Sequence, residues 1–63
     1  MPAADLKTAQ AIAHATAEIV EDAVGEFDRQ VSAAIDRGDP AEARRLGALS
    51  ETLSREAERL RGI

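Results

Sequence analysis

Seven consecutive residues, Asp36 to Glu42 (D-R-G-D-P-A-E), constrain the fold more than any other part of the chain. Gly38 suits the left-handed position just past a helix end, where a β-carbon would clash. Asp39 suits an N-cap, because its carboxylate accepts a hydrogen bond from an otherwise unpaired helical N–H. Pro40 fits the first helical position, which needs no N–H and already has the right φ. Glu42 follows Asp39 by three, the spacing from which a side chain reaches back to the cap's own N–H. One helix stops and another starts within a few residues. The expected fold is all-α: residues 1–63 form a single helical-hairpin domain, with helix 1 about 5–37, a turn at 38–39 and helix 2 about 40–61.

Met1 to Ala4 are expected to fray, with Asp5 or Thr8 starting helix 1. Only Gly25 interrupts good helix formers from there to Arg37, and it marks either a bend or a close approach by a partner. At 100° per residue, Ala9, Ile12, Ala13, Thr16, Ile19, Val20, Ala23, Val24, Phe27, Val31, Ala34 and Ile35 fall within an arc of about 160°. His14, Glu18, Glu21, Asp22, Gly25, Asp28 and Arg29 take the opposite side. In helix 2, Leu46, Leu53 and Leu60 are spaced by seven, with Leu49 supplying one intervening position and Glu56 interrupting the next. Beside this seam runs a stripe of small residues, Ala43, Gly47, Ser50, Ser54 and Ala57. It reads either as solvent-facing filler, the favoured reading, or as a close helix–helix contact. Gly47 speaks for the contact, because glycine costs about 1 kcal/mol against alanine inside a helix.

The helices are unequal, about 50 Å and 33 Å at 1.5 Å per residue. With the turn near Gly38, Arg61 falls opposite roughly Thr16 at that rise. Leu6, Ala9, Ile12 and Ala13 are then expected to overhang, facing nothing in their own chain. A two-helix hairpin also leaves one side of its seam wet. Alanine inflates the apolar fraction of 44% and adds little core volume, and Phe27 is the sole aromatic. Domains this small usually need disulfides, metals or oligomerisation, and the chain has no cysteine. Packing two hairpins into a four-helix bundle relieves both deficits. A homodimer is therefore expected, or a hetero-complex burying the same surface. The interface residues expected are Leu6, Ile12, Ile19, Val20, Val24, Phe27, Val31, Ile35, Leu46, Leu49, Leu53 and Leu60.

The net charge of −4 lies entirely in the first 37 residues, with seven acidic and three basic side chains; the remainder has five of each. An acidic chain repels phosphate backbones, so nucleic-acid binding is disfavoured. No apolar run approaches membrane-spanning length, and the start M-P-A-A-D has no signal-peptide pattern. A cytoplasmic location is expected. His14 and Glu18 stand one turn apart beside Glu21 and Asp22, but the group points away from the apolar arc. No Glu-x-x-His pair of the di-iron bundle type is present. This is expected to be a solvated face, with no metal or cofactor and no catalytic residue, since nothing would desolvate these groups and tune their pKa values.

Arg44, Arg45, Arg55, Arg59 and Arg61 are expected mostly to pair locally, as Glu51 with Arg55 and Glu42 with Arg45. Capping accounts for Arg37-Gly38-Asp39, which resembles the integrin-binding triplet. The expected function is a non-enzymatic protein–protein interaction module, in the manner of small regulators, secretion chaperones, antitoxins, phage-encoded inhibitors or structural adaptors. The alternatives are RNA binding and a carboxylate metal bundle. In architecture and length the hairpin resembles plasmid copy-number regulators of the Rop type, which implies a dimer that binds RNA. The resemblance carries over no RNA-contacting position.

Overall fold

The computed structural model describes residues 3–63. Two helices, α1 (Ala3–Asp36) and α2 (Pro40–Arg61), pack against each other as a hairpin, and the described residues include no strand. α1 starts earlier than its sequence suggests. Ala3 and Ala4 are already helical, and Asp5 lies within the first turn instead of capping it. There its carboxylate complements the positive end of the helix dipole. Met1 and Pro2, the rest of the segment expected to fray, lie outside the described residues.

The turn closes through two sets of bonds. The Gly38 N–H donates to the Ile35 carbonyl at 2.9 Å, and the Asp39 N–H donates to the Ala34 carbonyl at 2.9 Å. With Gly38 at φ +75°, this pattern satisfies the last carbonyls of α1 in a Schellman motif. The Asp39 carboxylate accepts from the Glu42 N–H at 3.2 Å and caps α2. The reciprocal bond expected from Glu42 does not form. Two motifs compete for one Asp39 N–H, Ala34 takes it, and the Glu42 carboxylate turns forward to Arg45.

Contact between the helices follows a three–four spacing. On α1 it runs through Gln10, Ala13, Ala17, Val20, Val24, Phe27, Val31 and Ala34. Ala13, Ala17 and Ala34 are buried and the others half-buried. On α2 it runs through Ala43, Leu46, Ser50, Leu53, Ala57 and Leu60, of which Leu46, Ser50 and Ala57 are buried. Ala43, Ser50 and Ala57 of the stripe of small residues therefore face α1 and are not solvent-facing filler, while Gly47 and Ser54 lie beside the seam, half-buried. Leu49 and Glu56, the intervening positions of the expected leucine seam, give way to Ser50 and Ala57. Small residues on α2 admit the valines and Phe27 of α1 at close range.

This seam is thin. Among the described residues no large side chain is completely enclosed, and four of the five buried apolar residues are alanines. The described chain is a rod of 54 × 14 × 10 Å with a radius of gyration of 15.4 Å. A compact domain of this length would have roughly 11 Å. It exposes 4468 Å², against roughly 3,900 Å² for a compact monomer of the same size.

Candidate interaction surface

α2 docks against one edge of the apolar arc of α1, not its centre. Helical spacing puts Ala9, Ile12, Thr16, Ile19 and Ala23 on the edge left open. Ile12 is 63% exposed and Ile19 70%, the highest value among the large apolar side chains. Ala9 and Thr16 are exposed as well, and Ala23 is half-buried. The Thr16 hydroxyl donates to the Ile12 carbonyl at 2.8 Å, so its donor is already satisfied within the helix. In this face, charged side chains stand only at the ends, Asp5 at one and Glu26 at the other. Glu26 is already engaged by Arg29 at 2.7 Å and by Gln30 at 3.1 Å.

The remaining residues expected at an interface divide into two sets. Val20, Val24, Phe27, Val31, Leu46, Leu53 and Leu60 serve the contact between the two helices. Leu6, Ile35 and Leu49 are exposed, as is Ile63, which the sequence pattern does not single out as an interface residue. The overhang is shorter than expected. Ala13 is covered, and Gln10 Nε2 donates to the Ile63 carbonyl at 2.8 Å beyond the end of α2. Leu6, Ala9 and Ile12 stay uncovered.

The opposite edge of the contact is polar. Arg61 crosses from α2 to Glu21, with Nε–Oε2 at 3.0 Å and Nη2–Oε1 at 2.6 Å. The Ser50 hydroxyl donates to Asp28 at 2.7 Å. His14, Glu21 and Asp28 are spaced by seven and flank the three–four seam, so they lie beside α2 and not on the far, solvated face where the 160° arc places them. His14 is half-buried, with an Nε2 that is inaccessible and has no hydrogen-bond partner, contrary to the surface role expected of it. The seven-residue spacing is the signal that could have found them; a single averaged arc blurs it.

A shallow groove of about 380 Å³ opens on this edge, lined by Glu21, Val24, Ser54, Ala57, Glu58 and Arg61. Hydrogen bonds from Arg61 hold the Glu21 carboxyl below its ordinary value. Glu26, Glu42 and Glu56 are lowered in the same way by Arg29, Arg45 and Arg59. These groups are all committed to ion pairs. Arg61 has its partner across the hairpin, whereas Arg45, Arg55 and Arg59 pair within α2. Among the described residues no three His, Asp or Glu side chains are grouped to hold a metal ion. No described helix is long and apolar enough to cross a membrane. The open apolar edge is the feature that the hairpin's own packing leaves unused. No known protein family, curated protein or solved structure matches this chain.

Proposed function

We propose that the chain is a cytoplasmic, non-enzymatic protein–protein interaction module, an acidic helical hairpin that works in a complex. In that complex its open edge is buried, either by a second hairpin completing a four-helix bundle or by another protein. The observation that carries this reading is an inversion of burial. Ile12 and Ile19 are mostly exposed while four of the five buried apolar residues are alanines. Each buried CH₂ contributes about 0.8 kcal/mol, so burying alanine at these positions stabilises far less than burying leucine or isoleucine would. The excess of acidic groups in α1 suits a basic client surface, which would speed encounter and exclude acidic competitors.

Helicity measured by circular dichroism across a dilution series tests the reading. Helicity that falls on dilution, or a chain disordered alone and helical only with its partner, is the expected outcome. Full helicity and an unchanged melting temperature from the highest to the lowest concentration would contradict it.

A further inference from the structure

We propose that the open edge of α1 pairs with the same edge of a second copy, antiparallel, about a two-fold axis passing beside Thr16. This rests on the interaction-module reading and names the partner. The face reads Ala9, Ile12, Thr16, Ile19, Ala23, and its residue types are the same in either direction: Ala, Ile, Thr, Ile, Ala. A two-fold interface requires such self-complementarity, since residue i meets j and j meets i.

Centred on Thr16, the operation sets Ala9 against the partner copy's Ala23 and Ile12 against its Ile19, to within about half a residue along the axis. Each isoleucine then lies between small neighbours, which lets the helices approach closely. The Thr16 hydroxyl reaches the centre without an orphaned donor, because it is bonded to the Ile12 carbonyl. The one electrostatic conflict is at the ends, where Asp5 comes across from Glu26. Arg29, bonded to Glu26, stands there to answer both carboxylates.

The need for this contact follows from the areas. The hairpin exposes 4468 Å², an excess of roughly 600 Å² over a compact monomer of its size. A stable interface removes about 800 Å² per partner. An interface of that size more than removes the excess, so one further copy of the chain is enough to bring it to ordinary compactness.

The chain has no native cysteine, so disulfide trapping in the full-length protein is unambiguous. Ala9→Cys and Ala23→Cys are made separately, then mixed and oxidised. The expected result is a cross-linked heterodimer in the mixture and none from either variant alone, since a disulfide needs Cα atoms within about 7 Å. Cross-linking of Ala9→Cys with itself would indicate a parallel pair and overturn the proposal. So would a wild-type dimer in which no mixture cross-links. That outcome leaves the interaction-module reading standing, whereas a stable folded monomer removes both. Ile19→Asp is expected to weaken self-association at least 100-fold, and Ser32→Asp, exposed on α1 but off this face, to leave it within about threefold. Equal effects of the two would also overturn the face assignment.

Discussion

Arg61 of α2 reaches across the hairpin to Glu21 of α1 with two parallel hydrogen bonds, of 3.0 and 2.6 Å. It pins the last turn of α2, beside the packing of Ala57 and Leu60 and the Gln10–Ile63 hydrogen bond. The geometry is bidentate, yet both side chains are nearly half exposed. The pair therefore serves more to fix register than to supply stability.

The first prediction follows from its sign. Hydrogen bonds from Arg61 hold the Glu21 carboxyl below its ordinary value in the folded chain. A carboxyl depressed on folding contributes fully above its unfolded pKa, and the contribution is lost as pH falls through the lower, folded value. Amide exchange in the last turn of α2 should quicken relative to the turn region as pH drops below about 4.3, the ordinary glutamate value, after correction for intrinsic rates. Arg61→Gln should remove this acid sensitivity. An identical pH profile in the variant would show that the cross-helix pair does not anchor α2.

Glycine substitutions should have opposite signs at two positions. Gly38 has φ +75°, and a β-carbon added there would meet only open space, so Gly38→Ala should cost about 1 kcal/mol from backbone strain alone. Gly47 is helical, and a β-carbon there would also meet nothing within 4 Å. Close packing within the hairpin therefore does not require glycine at 47, and Gly47→Ala should stabilise by about 1 kcal/mol. Urea melts of the two variants check both signs. A destabilising Gly47→Ala would place another chain against that side of α2.

Ser50 is the buried polar residue of the seam, and its hydroxyl donates to Asp28. Ser50→Ala should cost about 1 kcal/mol, the net value of one hydrogen bond. Ser50→Leu should cost more, about 1–3 kcal/mol, by forcing α2 away from α1. Thermal melts at one fixed concentration would reveal the order, and a tolerated leucine would mean that the helices are not closely packed there.

His14 should be dispensable for stability. Its Nε2 is inaccessible and unbonded, and an orphaned buried polar atom carries a desolvation penalty of about 1–3 kcal/mol. His14→Leu is expected to raise the melting temperature. A fall would mean that the imidazole has a stabilising partner.

The turn is legible in the sequence because each of its residues answers a separate local demand: left-handed φ at Gly38, a cap at Asp39, a missing N–H at Pro40. Helix lengths follow from the absence of breakers. The edge of α1 that α2 chooses is not legible from hydrophobicity, which ranks Ile12 and Ile19 above Ala13 and Ala17. Close approach reverses that ranking, since the small residues of α2 fit against alanines and valines and leave the isoleucines outside. The capping box fails for another reason, because sequence does not show that Ala34 and Glu42 compete for the same N–H.

Sedimentation equilibrium on the wild-type chain, with a melt at each loading concentration, tests the central claim most directly. A mass near twice that of the chain at micromolar concentration is expected, with a melting temperature that falls on dilution. A mass equal to one chain, together with a cooperative melt that does not change with concentration, would contradict it.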